Sequence, residues 1–432
     1  MLRDQPQPEI ARSAVILGEV HVGAGAILAQ GLVVRAHGAA VSIGNYSAIL
    51  ENGVVIGTPE HPARVGQRTV FGHRATIVGA AIGDLCEIGN GAILMPGSRL
   101  GSGCILGEGT LVPAGTVIPA DSVLVGRPPH VIRSATDADR ERLAVLRQHQ
   151  TNLTDHPGTV VHGPMRAGAH MGTLYAYRDK TPSIGAGTVL FDSAEITGDV
   201  VIGEQTLIGA GVKIIGDSHG PVRIGSRVQI LENTVLHLLP DNALVIDDDA
   251  VIGPGAMIHG CHIGRGSIIE PGAIVCDGSG TGAESVVRAG ACVKQRDRFG
   301  DRSVLDGFPA RLVGTLNGPP PVPGWALPPD AVATLRRVPR LRLRGDRGQK
   351  PAENARGTWL PSHPRSSTGP YCMNAPAMSS EQHERGIHAV RASRRPGIRA
   401  PAAHRGPSGT TDIAMRRARP FTIKNKLTGM AL

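Results

Sequence analysis

Two long stretches of the chain repeat an aliphatic residue every six positions, and this period restricts the fold more than any other feature. From Ala14 to about Arg133, each aliphatic residue is followed by glycine or another small residue and then by mostly polar ones. Examples are VGAGAI (22–27), IGNGAI (88–93) and LGSGCI (100–105). A short fixed period of this kind is typical of a solenoid. A glycine-rich disordered segment is excluded, because the aliphatic residue returns on period many times.

A hexapeptide period predicts one short parallel strand per repeat, with three strands forming each triangular coil. The aliphatic side chains then point inward and stack on their counterparts one coil away. Glycines lie at corners that need positive φ or a close approach of the backbone. The chain contains 58 glycines and only 3% aromatic residues, so its core depends on Ile, Val, Leu and Ala. We therefore predict an all-β solenoid of parallel β-helix coils.

The period stops once and then resumes, which divides the chain into four segments. We predict a first hexapeptide-repeat domain over residues 1–133, a helix and linker over 134–183, a second repeat domain over 184–316, and a Pro/Arg-rich disordered tail over 317–432. The segment 137–150 has the modest apolar face of a short helix. The two repeat domains stand in tandem, and each is long enough to form a complete fold.

The formal charge of +9 belongs to the tail, because residues from Pro321 onward hold 20 of the 45 Lys and Arg but only 6 of the 36 Asp and Glu. A basic tail can contact nucleic acid or an anionic surface. This one lacks interleaved aromatic residues and any binding-module pattern, and its low hydrophobicity and many prolines predict disorder. We interpret it as a solvated tail and expect neither a nucleic-acid nor a membrane partner.

The six cysteines are scattered without a CxxC pair. This spacing argues against a zinc ribbon or a disulfide scaffold and favours a reducing compartment. The N-terminal stretch MLRDQPQPEIARS lacks the apolar core of a signal peptide, and no run reaches the length of a membrane span. We therefore expect a soluble, cytoplasmic protein.

The two domains align through IGNYSAILEN in the first and IGSRVQILEN in the second, and histidines follow both segments. In the second domain, His237 and His259 each follow a β-branched or leucine residue in a strand-like run. These segments, with the downstream histidines, resemble the γ-class carbonic anhydrases of the hexapeptide-repeat superfamily. The resemblance covers most of both repeat domains. It implies two left-handed β-helices in tandem. In the family, a C-terminal helix follows the β-helix.

Members of that family are trimers with zinc bound by three histidines at each interface between neighbouring subunits. The resemblance assigns the first and third ligands to His237 and His259, whereas the first domain has Ile56 and Val78 at these positions. Neither domain therefore has a complete set by itself.

The second ligand shows the opposite distribution, because His73 of the first domain retains it and Pro254 of the second lacks it. One face of the second domain against one face of the first supplies all three histidines. The resemblance thus implies one composite zinc site at the junction of the domains, formed by His73, His237 and His259, with iron as an alternative metal. It also implies a trimer-like homo-oligomer assembled through β-helix faces.

In the family, an arginine and an aspartate pair across the subunit interface. In this chain, one of the two residues remains in each domain. Arg35 remains in the first domain, with His37 at the Asp position, and Asp217 remains in the second, which lacks the Arg. We therefore expect Arg35 and Asp217 to pair at the same junction.

The function implied by the resemblance is reversible hydration of carbon dioxide by zinc-bound hydroxide. Three neutral imidazoles leave an open coordination position, and zinc lowers the pKa of a bound water to about 7. A nearby base must then export a proton to solvent. Glu232, His219 and His262 are the candidates, by proximity in the sequence.

Two other functions stay open. A hexapeptide-repeat acyltransferase would use acyl-CoA, with His61 or His219 as a base and no metal. The turns at 126–130 and 307–311 resemble one that closes the solenoid in such enzymes, although that turn also occurs in the carbonic anhydrase branch. A non-catalytic assembly protein, in which two decayed domains keep only the interface, is the third possibility.

Overall fold

The protein is described here by a computed structural model that covers residues 6–36, 38, 40–163, 167–168, 172–217 and 219–328. Two tandem solenoids form this part of the chain, each built from short strands joined by tight turns. The elements of the first solenoid and its helix are β1 (Glu9–Ile10), β2 (Val15–Val22), β3 (Ile27–Leu28), β4 (Val33–Ala36), β5 (Val41–Ile43), β6 (Ala48–Ile49), β7 (Val54–Gly57), β8 (Ala63–Val65), β9 (Val70–Phe71), β10 (Thr76–Val78), β11 (Ala81–Ile82), β12 (Glu87–Ile88), β13 (Ile93–Leu94), β14 (Arg99–Leu100), β15 (Ile105–Leu106), β16 (Leu111–Val112), β17 (Val117–Ile118), β18 (Ser122–Val125), β19 (His130–Ser134) and α1 (Asp137–Leu146).

The linker and the second solenoid continue the same pattern. Their strands are β20 (Thr159–Gly163), β21 (Ala167–Gly168), β22 (Thr173–Tyr175), β23 (Ser183–Ile184), β24 (Val189–Phe191), β25 (Glu195–Gly198), β26 (Val200–Ile202), β27 (Leu207–Ile208), β28 (Lys213–Gly216), β29 (Val222–Ile224), β30 (Gln229–Ile230), β31 (Val235–His237), β32 (Leu244–Ile246), β33 (Val251–Ile252), β34 (Met257–His259), β35 (His262–Ile263), β36 (Ile268–Ile269), β37 (Ile274–Val275), β38 (Gly280–Thr281), β39 (Val286–Val287), β40 (Cys292–Val293), β41 (Ser303–Gly307) and β42 (Ala310–Thr315).

Equivalent strands of successive coils pair in parallel and form three faces in each solenoid. In the first, sheet 1a has the order β1-β3-β6-β9-β12-β15-β18-β19, and the long strand β2 belongs both to sheet 1b (β16-β13-β10-β7-β4-β2) and to sheet 1c (β2-β5-β8-β11-β14-β17). In the second, sheet 2a is β21-β24-β27-β30-β33-β36-β39-β41-β42, sheet 2b is β22-β25-β28-β31-β34-β37-β40, and sheet 2c is β23-β26-β29-β32-β35-β38. The tandem β-helix predicted from the period, left-handed as the resemblance implies, is confirmed.

The core of each solenoid is a stack of the periodic aliphatic side chains. Ile49 and Ile88 are buried on the inner side of sheet 1a, as Ile230 and Ile252 are on that of sheet 2a. Because strand side chains alternate in direction, the residues between them point outward and define what each face can bind.

Helix α1 begins at the predicted residue and follows a capping box. Thr136 accepts a hydrogen bond from the Asp139 backbone N–H, and the Asp139 carboxylate accepts one from the Thr136 backbone. Leu143 is buried against Ile105 and Val123 of sheet 1a. The predicted short helix after the first solenoid is therefore confirmed, and it ends at Leu146. No helix in the described ranges has the length and apolar composition to cross a membrane.

The two solenoids meet where the outer surface of sheet 1b packs against sheet 2a. Both sheets contribute outward aliphatic or aromatic residues, namely Leu17, Val33, Val54, Ile56 and Val78 from sheet 1b and Phe191, Leu207, Val251, Ile268 and Val286 from sheet 2a. Arg35 is fully buried here, and its Nε donates to Oε1 of Glu232 at 2.5 Å. Its Nη2 donates to the carbonyl oxygen of Trp325 at 2.7 Å.

The start of the predicted tail belongs to this junction. The sequence predicts disorder from residue 317, but Trp325 is 4% exposed and packs with Leu327 in the same apolar cluster. A turn brings these side chains back onto the solenoids, which an average over a proline-rich composition does not reveal. The rest of the tail prediction, residues 329–432, lies outside the described residues.

Candidate metal centre

Sheet 2b carries histidines where sheet 1b carries aliphatic residues. His237 at the end of β31 is the register partner of His259 at the end of β34. Ile56 and Val78 are register partners in the same way on β7 and β10. Both aliphatic residues are fully buried at the domain junction, whereas the imidazoles of His237 and His259 are 28% and 25% exposed. Equivalent positions therefore face the other domain in one solenoid and solvent in the other.

On one side, His237 belongs to a row of hydrogen-bonded groups. Its Nδ1 lies 3.2 Å from Nε2 of His259, and Nδ1 of His259 lies 2.5 Å from Oδ2 of Asp277. Asp277 also accepts from the backbone N–H of Leu239 at 3.0 Å and from Nδ2 of Asn242 at 3.1 Å. Burial acts to raise the pKa of Asp277, but these hydrogen bonds outweigh it and lower the pKa below its usual range. Asp277 is therefore an ionised acceptor.

On its other side, His237 faces Asp217 and His219. Nε2 of His237 lies 3.7 Å from Oδ2 of Asp217, and the rings of His237 and His219 are 5.4 Å apart between centroids. Nδ1 of His219 lies 3.4 Å from Oδ1 of Asp217, and it is buried without a hydrogen-bond partner. The three residues offer ligand atoms that all lie within 4.8 Å of one another. Two nitrogens and a carboxylate oxygen suit a divalent transition metal.

The protonation of His237 also suits a metal ligand. Burial lowers the pKa of His237, with His259 and His219 acting in the same direction and Asp217 opposing them. The imidazole is therefore neutral at neutral pH and keeps a lone pair on one nitrogen.

His73 lies at a different place, in the corner between sheets 1a and 1b. Its Nδ1 is 2.8 Å from Oε2 of Glu51, and its imidazole is 55% exposed. It lines a groove of about 630 Å³ between the corners of the two solenoids, opposite Val235 and Met257 of sheet 2b. Among the residues that the structure describes, His73 joins no group of three ligand atoms within 4.8 Å.

Within one chain, the predicted composite site of His73, His237 and His259 is therefore not formed. The reason is the choice of faces at the junction. Sheet 1b packs against sheet 2a, and His73 faces sheet 2b only at Val235 and Met257, the ends of β31 and β34 opposite to His237 and His259.

The predicted interface pair is also different. Arg35 pairs with Glu232 and not with Asp217, which belongs to the histidine cluster. Glu232 follows β30 of sheet 2a, the sheet that covers sheet 1b, and this packing brings it to Arg35. Glu232 is 1% exposed. A group buried in an ion pair is poorly placed to release protons to solvent, so Glu232 is a junction residue and not the predicted proton-exporting base.

The other two predicted bases lie on different faces. His262 is on sheet 2c, where its Nε2 lies 2.9 Å from Oδ2 of Asp247. His219 lies beside His237 in the cluster. We did not predict from the sequence that His219, Asp217 and His237 could bind one metal ion, although the strand register indicates that they lie close together. Asp217 and His219 directly follow β28, whose Ile214 is the register partner of Leu236 in β31.

The match to a family model agrees with this fold. The family model described as "Bacterial transferase hexapeptide (six repeats)" matches residues 85–120 and 244–277, one segment in each solenoid. A solved structure of a hexapeptide transferase family protein from Anaplasma phagocytophilum is 23% identical with a TM-score of 0.32, covering 38% of this chain and 89% of that one.

Curated relatives share higher identity over part of their length. A carbonic anhydrase of Geobacillus kaustophilus is 40% identical over 104 residues, which cover 24% of this chain and 57% of the relative. Carnitine operon protein CaiE of Escherichia coli is 32% identical over 145 residues, covering 34% of this chain and 74% of CaiE. Gamma carbonic anhydrase 2, mitochondrial, of Arabidopsis thaliana is 30% identical over 171 residues, covering 38% of this chain and 61% of the relative. The chain belongs to the family of hexapeptide-repeat, left-handed β-helix proteins that includes these carbonic anhydrases and CaiE.

Proposed function

We propose that this chain is a metal-dependent enzyme of the γ-carbonic-anhydrase type, which interconverts carbon dioxide and bicarbonate at the histidine cluster of sheet 2b. The observation that carries the proposal is the register-matched pair of His237 and His259, whose facing ring nitrogens lie 3.2 Å apart on a solvent-facing sheet. The carbonic anhydrases among the relatives, at 40% and 30% identity, support this class of reaction.

Zinc is the proposed metal, with iron as the alternative. Imidazole nitrogens with a carboxylate oxygen, as in the cluster of sheet 2b, suit either metal. When bound, zinc lowers the pKa of a coordinated water to about 7, which supplies a nucleophile at neutral pH.

In the ligand set implied by the resemblance, His73 of a second copy supplies the third imidazole. His73 is 55% exposed at the rim of the groove between the solenoids, and sheet 2b leaves its histidines accessible. A trimer-like homo-oligomer through β-helix faces would bring these two surfaces together. Only in that three-histidine arrangement is His219, which is 31% exposed beside His237, free to pass the proton to solvent.

The proposal includes a cytoplasmic location. Cys86, Cys104, Cys261, Cys276 and Cys292 are free thiols in the structure. Thiols persist in this state in a reducing compartment.

The test is carbon dioxide hydration by the full chain, followed with a pH indicator in a stopped-flow instrument after loading with zinc, or with ferrous iron under anaerobic conditions. We expect hydration above the uncatalysed rate, loss on chelation and recovery on adding zinc. His237→Ala should reduce the rate to background. The matched control is His21→Ala, an exposed histidine of the first solenoid that lies 3.5 Å from Glu19.

Two outcomes would contradict the proposal. A metal-loaded chain without hydration would exclude this reaction, and hydration that survives His237→Ala would exclude this site. Acetyl transfer from acetyl-CoA by the metal-free chain would instead support the acyltransferase alternative.

A further inference from the structure

We infer that a single chain holds a divalent transition metal through Asp217, His219 and His237, and that His259 positions His237 without binding the metal itself. This inference deepens the proposed function, because it concerns the ligands of the same cluster. It differs from the family-derived set in needing neither His73 nor a second copy.

The hydrogen-bonded row decides which nitrogen of His237 is available. Nδ1 of His259 lies 2.5 Å from Oδ2 of Asp277, and a carboxylate oxygen accepts, so this nitrogen carries the proton. The other ring nitrogen, Nε2, then accepts from Nδ1–H of His237 at 3.2 Å. The lone pair of a neutral His237 is therefore on Nε2. That atom faces Asp217 and His219, not His259.

The separations on this side fit shared coordination better than hydrogen bonding. Nε2 of His237 and Oδ2 of Asp217 are 3.7 Å apart, too far for a hydrogen bond. Nδ1 of His219 and Oδ1 of Asp217 are 3.4 Å apart. Donor atoms around a zinc or iron ion with bonds of about 2.0–2.2 Å lie roughly 3 to 3.6 Å from one another. Small side-chain adjustments would therefore bring the three atoms to ligand distance.

An unsatisfied atom supports the same assignment. Nδ1 of His219 is buried and has no hydrogen-bond partner, although buried polar nitrogens are normally satisfied. Oδ1 of Asp217 accepts from the backbone N–H of His219 at 3.0 Å, which fixes the carboxylate beside that ring. A cation between them would satisfy the lone pair of His219 and the charge of Asp217 together.

The backbone places these ligands on a rigid element. Asp217 and His219 follow β28, and His237 ends β31, the adjacent strand of sheet 2b. Behind His237, His259 and Asp277 form an imidazole–carboxylate pair of the kind that orients metal-bound histidines and raises their basicity. Two imidazoles and a carboxylate leave coordination positions open, and the side chains of His219 and His237 are 31% and 28% exposed toward solvent.

The test is binding of Co²⁺ to the full chain after metal removal, followed by visible absorption and by metal analysis. We expect one Co²⁺ per chain in the wild type, and loss of binding in Asp217→Asn and in His219→Gln. His259→Gln and Asp277→Asn should weaken binding by about 10–100-fold and keep the stoichiometry, as expected for positioning residues. His73→Ala should bind Co²⁺ as the wild type does, at every protein concentration. Thermal unfolding of each metal-free variant checks that it is folded.

The opposite pattern would overturn the inference. If His73→Ala and His259→Gln abolish Co²⁺ binding while His219→Gln binds normally, the metal is held by three histidines from two copies. If His219→Gln and Asp217→Asn both bind as the wild type does, the in-chain site does not exist. The proposed function fails separately. A chain that binds Co²⁺ through Asp217 and His219 but does not hydrate carbon dioxide when loaded with zinc or iron keeps this inference and loses the reaction.

Discussion

Sheets 1b and 2b occupy the same place in their solenoids and have opposite roles. Ile56 and Val78 of sheet 1b are fully buried against the second domain, while His237 and His259 of sheet 2b remain partly exposed. In a homotrimer of single solenoids, every subunit would present this face identically. In a tandem chain the two copies of the face are no longer equivalent, so one could become an apolar packing surface while the other kept polar groups.

A second pair of equivalent residues shows how the junction was adapted. Glu51 and Glu232 occupy the same place in the two ILEN segments. Glu51 pairs with His73 in its own domain, whereas Glu232 reaches Arg35 of the other domain. Because Pro254 replaces the histidine in the second solenoid, Glu232 has no local imidazole partner and serves the junction instead.

The largest effect should follow from breaking this junction pair. Arg35→Met leaves Glu232 buried without its partner, which typically costs about 3–5 kcal/mol. Urea unfolding of the full chain measures the loss, with the exposed Arg99→Met as a control. The double variant Arg35→Met/Glu232→Met should recover most of it, because apolar replacement of a buried ion pair is often neutral. A loss below about 1 kcal/mol in Arg35→Met would show that the pair contributes little.

A graft tests whether burial alone separates the two faces. Ile56→His with Val78→His places two unpaired imidazoles in the apolar junction, and we expect a loss of about 2–4 kcal/mol. Adding Pro254→His should regain stability in the presence of Co²⁺, because the corner beside Pro254 adjoins sheet 1b. There, a Cβ on Gly255 would lie 3.0 Å from Oγ1 of Thr76.

The graft is measured in an Asp217→Asn background, so that the cluster of sheet 2b does not contribute. Pro254→His alone is the control and should bind no Co²⁺. Failure of the triple variant to bind Co²⁺ while remaining folded would mean that the two domains do not pack as a pair of neighbouring subunits would.

The reverse exchange should affect binding far more than stability. His237→Ile with His259→Val removes metal binding, yet we expect a loss of only about 0.5–1.5 kcal/mol per position, which is the usual net contribution of a hydrogen bond. Urea unfolding and Co²⁺ titration of the same preparation give both quantities. A large destabilisation would show that sheet 2b is covered in solution.

The smallest effect concerns the pH dependence of sheet 2a. Burial raises the pKa of Glu270 above its ordinary value of 4.5, although the Ala289 N–H and Arg288 oppose this. The folded state therefore favours the protonated form. This contribution to stability is fully present below pH 4.5 and is lost as pH rises through the higher folded-state pKa. Glu270→Gln should flatten that part of the stability–pH curve, and Glu284→Gln, at a side chain that is 32% exposed, should not.

The fold was predictable because its information is local and repeated. Each coil of the solenoid has the same spacing of aliphatic residues. The capping residues Thr136 and Asp139 mark the start of α1. The adjacency of His237 and His259 follows from the same register. The packing of sheet 1b on sheet 2a does not follow from the register, because more than one face of a triangular solenoid can be apolar enough to pack. That choice determines where Arg35, Glu232 and His73 lie, so these assignments required the structure.

The contact of Trp325 with the junction has a consequence for synthesis. The first solenoid leaves the ribosome with Val33, Val54 and Ile56 on an uncovered face, and this face stays bare until sheet 2a is made. The hydrogen bond from Arg35 to the Trp325 carbonyl forms later still, after more than 300 residues have been translated. Until then the nascent chain exposes an apolar sheet, which is a condition that favours misassembly with other chains and engagement by chaperones.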